Sequence, residues 1–142
     1  MIKICFVCLG NICRSPMAEF ILKAKNNGNY YVESRATSYE EEGNDMHFKA
    51  KEILRLNNIP FTKHKAKRLE ENDYEKFDYF ICMDDSNVKN TINIFGHDNQ
   101  NKVFKLNKEN VKDPWYTGNF HETFNDLNKG INRILIGDLH EK

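Results

Sequence analysis

Apolar residues along this chain change period repeatedly. Residues 2–7 form a short apolar run that ends at a glycine-containing turn, the pattern of a buried strand. Ser15-Pro16 then reads as a helix start, an N-cap followed by proline at the first helical position. Met17, Phe20, Ile21 and Ala24 share one helical face, and Asn26-Asn27-Gly28 stops the helix. Residues 30–38 read as a second strand, followed by a polar loop through Asp45. Met46, Ala50, Ile53 and Leu54 mark a second helix that closes before Pro60. Residues 77–83 form a third, strongly buried strand, Val88, Ile92 and Phe95 a short helix, and residues 103–106 a fourth strand. Phe120, Phe124, Leu127, Ile131, Ile134 and Leu135 trace the stripe of a long final helix. Strands alternating with helices predict an α/β sandwich with a parallel sheet. Such sheets bind ligands at the carboxyl ends of their strands, and the first such end is Val7-Cys8.

Composition narrows the class. At 142 residues the chain has the length of one domain. Lys plus Arg and Asp plus Glu each number 21, so nothing in the charge calls for nucleic acid or a membrane surface. No apolar run approaches the length that spans a bilayer, and the opening segment lacks the h-region of a signal peptide. A cytoplasmic protein is expected. Three of its four cysteines, Cys5, Cys8 and Cys13, crowd together near the start, with Cys82 far off. In a reducing compartment such a cluster points to metal binding or catalysis rather than to a disulfide framework.

The chemistry concentrates in Cys8-Leu9-Gly10-Asn11-Ile12-Cys13-Arg14-Ser15, a C-x5-R-S segment between a strand and a helix. A loop of this length can curl until successive backbone N–H groups point inward as an anion nest. Gly10 and Asn11 are residue types that tolerate the left-handed conformations such a curl requires. The following helix adds its positive N-terminal end. Arg14 can grip two phosphate oxygens in a planar fork. Cys8 would sit at the base of this positive concavity, a setting that favours a nucleophilic thiolate. Cys13, five residues on, can be read either as a packing cysteine or as the thiol that captures oxidised Cys8 in a disulfide.

The run from Cys8 through Arg14-Ser15-Pro16-Met17-Ala18-Glu19 resembles the signature of the low-molecular-weight protein tyrosine phosphatases. Ser34-Arg35-Ala36-Thr37-Ser38 resembles that family's second strand, residues 77–84 its third, and Asp113-Pro114-Trp115-Tyr116 its D-P-x-Y loop. The resemblance covers essentially the whole chain, residues 1–142, as one phosphatase domain. It implies a three-layer sandwich around a four-stranded parallel sheet, a phosphate-binding loop after the first strand, and no metal or organic cofactor. It also implies phosphotyrosine-containing protein substrates, hydrolysed through a phosphocysteine on Cys8. Asp113 would be the general acid and then the base that activates water; taken alone, Asp113-Pro114 is a turn. Residues 9–14 would bind phosphate. By the same resemblance Asn11, Ser15, Ser34 and His64 form the hydrogen-bond network that shapes the loop, with Ser15 donating to the Cys8 sulfur. Locally, Ser15 reads equally well as an N-cap, and His64 as part of a solvated basic stretch. Tyr39, Trp115 and Tyr116 would wall the substrate ring, with Glu40 the alternative to Tyr39, and the acidic loop 40–45 would lie near the rim.

Two relatives on this scaffold offer other activities. An arsenate reductase needs relay cysteines, and beyond Cys13 only Cys82 remains, inside an apolar strand. Protein arginine phosphatases resemble this chain but carry Thr at the position of Ile12, whose bulk favours an aryl ester.

Overall fold

In the computed structural model, residues 1–26 and 28–137 are described. Four strands, β1 (Ile2–Cys8), β2 (Tyr30–Ala36), β3 (Tyr79–Cys82) and β4 (Val103–Lys105), form one sheet in the order β2-β1-β3-β4, with every pairing parallel. The helices are α1 (Arg14–Lys25), α2 (Phe48–Leu56), α3 (Asp85–Phe95), α4 (Pro114–Thr117) and α5 (Phe120–Leu135), with a 3-10 helix at Glu71–Glu75.

The period of two along β1 divides the core. Ile4, Phe6 and Cys8 face a layer built by α1, α2 and α5. Cys5 and Val7 face a smaller layer with Tyr74, Phe77, Phe80 and Phe95. The sheet is thus buried on both faces, which is why β1 reads as a continuous apolar run rather than an alternating one. Parallel strands deliver all their carboxyl ends to one edge. Cys8 ends the central strand there, beside Ala36 of β2 and next to Cys82 of β3, which pairs with Val7.

The predicted helices form with shifted ends. The first starts at Arg14, with Cys13 at the cap position and no side-chain cap. Ser15 therefore lies inside the first turn, and its N-cap reading does not hold. The second helix begins at Phe48, where His47 Nδ1 accepts from the Lys49 N–H. The strands end earlier than hydrophobicity alone predicts, since residues 37–38 and Met83 serve loops instead of ladders. The stop at Asn26-Asn27-Gly28 lies partly outside the described residues. Asn26 itself ends α1, its Oδ1 accepting from the N–H groups of Gly28, Asn29 and Tyr30.

The long stripe of α5 docks close to the end of β4 at one place. A methyl on Gly130 would overlap the Leu106 side chain and sit 2.5 Å from Asn107 Oδ1. Arg133 clasps the same segment, donating to the Leu106 carbonyl at 2.9 Å. Gly130→Ala, which elsewhere in a helix would be favourable, should therefore destabilise the protein by about 1–3 kcal/mol through overpacking. Chemical denaturation should show a lower midpoint at unchanged slope.

Candidate active site

The loop after β1 is held by its carbonyls. Cys8 O accepts from Thr37 N at 3.0 Å, Leu9 O from Ser38 N at 3.1 Å, and Ile12 O from His47 N at 2.9 Å. His64 Nε2 donates to Asn11 O at 2.7 Å, and Met17 N donates to Cys13 O at 3.1 Å. In a planar trans peptide the N–H points opposite to the carbonyl. Carbonyls tied outward therefore turn the N–H groups of the following residues into the concavity, the arrangement of an anion nest. Residues 8–14 all line the resulting cleft, together with Glu40, Glu41, Asp113, Trp115 and Tyr116.

Asn11 makes the left-handed turn, at φ 60°. Gly10 does not share it. A Cβ there would make only ordinary contact, 3.4 Å from the Glu41 side chain.

At the base of the cleft, Cys8 is only 3% exposed, and its Sγ is ringed by donors. The Asn11 N–H lies 3.3 Å away, the Ser15 N–H 3.4 Å and Ser15 Oγ 2.9 Å. The absence of a side-chain cap on α1 fits this use: the first-turn N–H of Ser15 serves the sulfur. The hydroxyl's direction follows from its neighbours. Asn11 Oδ1 accepts from Lys67 N, so Nδ2 is the end that donates to Ser15 Oγ at 2.8 Å and to Ser34 Oγ at 2.9 Å. Ser34 donates onward to Glu19 at 2.6 Å. Ser15, receiving from Asn11, is left to donate toward Cys8. Glu19 is balanced by Lys23 one turn on, at 2.5 Å.

Arg14 is 2% exposed, yet its surroundings keep it charged. Its Nη1 donates to Asp84 at 2.7 Å and to the Val111 carbonyl at 2.9 Å, and Nη2 lies 3.4 Å from Asp113. Burial pulls its pKa down, but Cys8, Asp84 and Asp113 more than offset this and hold it above the ordinary arginine value. Asp113 Oδ1 caps α4 by accepting from Trp115 N at 3.0 Å, while Oδ2 faces Arg14. The turn reading and the cleft position thus coexist in one carboxylate. The segment expected to be loop is a short helix that carries Trp115 and Tyr116 into the cleft.

His64 and Ser34 join the network that the resemblance implies. Tyr39 does not line the cleft. It is 66% exposed and lies under Arg68 at 4.7 Å, while Glu40 and Glu41 supply that wall. Cys13 is a free buried thiol whose pKa is pushed up by burial and by the neighbouring Cys8. Residues that sequence reasoning missed are Glu19, Asp45 and Asp84. Asp84 both caps α3, through the Asn87 N–H at 2.7 Å, and grips Arg14. An acidic residue two positions after β3, the strand beside β1, was the available signal.

The comparisons agree with this geometry. The family model for low molecular weight phosphotyrosine protein phosphatases matches residues 3–142. The Bacillus subtilis low molecular weight protein-tyrosine-phosphatase YfkJ is 37% identical, over 100% of this chain and 99% of its own. The Staphylococcus aureus (strain Newman) protein-tyrosine-phosphatase PtpA is 39% identical, over 95% of this chain and 92% of its own. The crystal structure of SP-PTP from Streptococcus pyogenes superposes with a TM-score of 0.94 at 40% identity, covering 99% of this chain and 95% of that one. The chain is therefore a cysteine-dependent phosphoric monoester hydrolase by class. It belongs to the low-molecular-weight protein tyrosine phosphatase family.

Asp45 anchors the loop that reaches His64 and His47. Its Oδ1 accepts from the N–H groups of His64 at 3.0 Å and Met46 at 2.7 Å, and Oδ2 pairs with Lys51 at 2.6 Å. Burial raises its pKa, but these partners lower it from 3.8 to about 2. The folded value lies below the unfolded one. Asp45 thus stabilises the fold above pH 3.8, and this contribution is lost as pH falls toward 2. Asp45→Asn should be less stable than the parent at neutral pH. Thermal unfolding between pH 4 and 2 should show the difference between the two shrinking.

Proposed function

We propose that Cys8 is the nucleophile, Arg14 the phosphate clamp and Asp113 the general acid and base of a protein tyrosine phosphatase. The observation that carries the reading is the ring of donors around Cys8 Sγ at the floor of a cleft whose wall holds Asp113. The nest of residues 9–14 takes the phosphate oxygens. Arg14 Nη1 is engaged by Asp84 and Val111, so the edge it offers is Nε and Nη2.

In the first step the Cys8 thiolate attacks phosphorus. The P–O bond to the phenol breaks, and Asp113 gives its proton to the leaving oxygen. In the second, ionised Asp113 takes a proton from water. The water oxygen attacks phosphorus, the P–S bond breaks, and phosphate leaves with the thiolate restored. Ser15, oriented through Asn11, would hold the thiolate as a leaving group. Trp115 and Tyr116 offer aromatic walls to a tyrosyl ring, worth about 0.5–1.5 kcal/mol beyond area burial. Ile12 gives the same preference, its side chain being bulky and apolar beside the nest. We place the protein in the cytoplasm, because four free cysteines, three of them close in sequence, persist most readily in a reducing compartment.

Cys8→Ser should abolish turnover of phosphotyrosine while retaining binding of inorganic phosphate, since the nest and Arg14 remain. Phosphoserine and phosphoarginine should be poor substrates of the parent.

The sharper test concerns Asp113. A residue that only caps α4 would affect all esters alike. A general acid contributes about 10²–10⁴-fold, and most where the leaving group is basic. Asp113→Ala should therefore lower kcat/KM for tyrosyl phosphate far more than for a nitrophenyl ester, and flatten the basic limb of the pH profile. Equal losses with an unchanged profile would remove Asp113 from the chemistry. Because kcat/KM reports steps through the first irreversible one, slow phosphocysteine hydrolysis does not mask the contrast.

A further inference from the structure

Across Trp115 from the catalytic cleft lies a second depression, of about 260 Å³. Its lining includes His47, Phe48, Pro114, Trp115 and Phe120, with Lys49 beside them. The His47 ring stacks between Phe48, 4.8 Å away at 20°, and Phe120, 5.1 Å away at 28°. It meets Trp115 edge-on at 5.7 Å and 89°. Burial, then the positive charge of Lys49, lowers the His47 pKa against an opposing pull from Glu41, which favours the neutral ring near pH 7. The stack joins the starts of α2 and α5 to α4, so the groove is preformed by packed rings rather than by a loose loop. Even so, Phe48 is 62% and Trp115 59% exposed. Such contiguous aromatic surface gains free energy when covered.

Two observations identify what covers it. The first is continuity, because Trp115 lines both this groove and the cleft. A tyrosyl phosphate seated on the nest leaves its own backbone at the cleft mouth. Successive Cα atoms lie about 3.8 Å apart, so residues within three positions of the phosphotyrosine reach past Trp115. The second is charge. Lys49 lines the groove itself, whereas Glu40 and Glu41 line the cleft, Glu41 within electrostatic reach of His47. This asymmetry steers an acidic stretch of a bound polypeptide toward the groove and a basic stretch away from it.

We propose that this groove is a specificity subsite. It takes a large apolar or aromatic side chain of the substrate polypeptide, one to three residues from the phosphotyrosine and on its more acidic flank. The proposal rests on the phosphotyrosine reading above, and the experiment separates the two.

Phosphotyrosine peptides carrying Phe or Ala at each flanking position, with and without a neighbouring Asp, are compared by kcat/KM. Each value is divided by that of phenyl phosphate, which fills the cleft but not the groove. On the parent protein, Phe at one flanking position should exceed Ala by about 5–30-fold. Phe48→Ala should cut this advantage below about twofold, as expected when the aromatic wall is gone. Lys49→Glu should keep the Phe advantage and reverse the Asp preference. An equal Phe advantage in Phe48→Ala, or none at any position in the parent, overturns the subsite. The subsite also falls if the parent is a dimer at assay concentration and Phe48→Asp makes it monomeric without changing peptide preference. The groove would then be covered by a second copy of the chain. Failure to hydrolyse phenyl phosphate and all peptides would instead bring down the phosphatase reading itself.

Discussion

The site depends on the saturation of one side chain and its backbone. Asn11 gives its N–H to the Cys8 sulfur and its carbonyl to His64 Nε2. Its Oδ1 accepts from Lys67 N, and its Nδ2 donates to both Ser15 and Ser34. Every polar atom is engaged, so the amide has one orientation and the left-handed backbone at φ 60° is fixed from several directions. Buried polar groups cost free energy when unpartnered, which makes a fully satisfied hub stiff. The hub also carries direction. With Nδ2 facing the serines, Ser34 must send its proton to Glu19, and Ser15 is left to send its own to sulfur. An aspartate at this position would keep the shape and reverse that polarity.

What the sequence made legible follows from which interactions are local. The apolar run of β1, the stripe of α5 and the C-x5-R segment are contained in short windows, and the structure keeps them. Element ends were less legible, because a strand ends where its ladder does. Thr37 and Ser38 look like strand, yet they turn their N–H groups to Cys8 and Leu9 of the phosphate loop. The helix start shows the same effect. Ser15-Pro16 has the local signature of a cap, but the hydroxyl serves the sulfur instead of the helix, and the proline is tolerated two residues later in the first turn.

The missed residues share a different cause. Asp84 and Glu19 act on partners 70 and 15 residues away in sequence, Arg14 and Ser34 respectively. Asp84 in its own window is simply a good helix cap, and Glu19 the first half of an ordinary i,i+4 ion pair with Lys23. Their second roles appear only when β3 is laid beside β1 and α1 against β2. Tyr39 is the converse case. An aromatic residue in a rim loop suits a substrate wall, but the loop turns it onto the Arg68 guanidinium and leaves Glu40 and Glu41 facing the cleft.

The double use of Asp113 joins positioning to chemistry. As the cap of a four-residue helix, it holds Trp115 and Tyr116 by one oxygen. That leaves the other oxygen directed at Arg14 and the cleft. A helix this short has little internal cohesion, since nucleation leaves few backbone bonds to offset its entropy. The cap and Pro114, whose φ is already helical, therefore matter more here than in a long helix. The Asp113 carboxylate at the cleft and the rings beside it are consequently positioned together. The same helix presents Trp115 to the His47 stack, so any polypeptide pressing on the groove also bears on the element that carries Asp113. In the proposed mechanism, recognition outside the cleft and proton delivery inside it thus share one short helix.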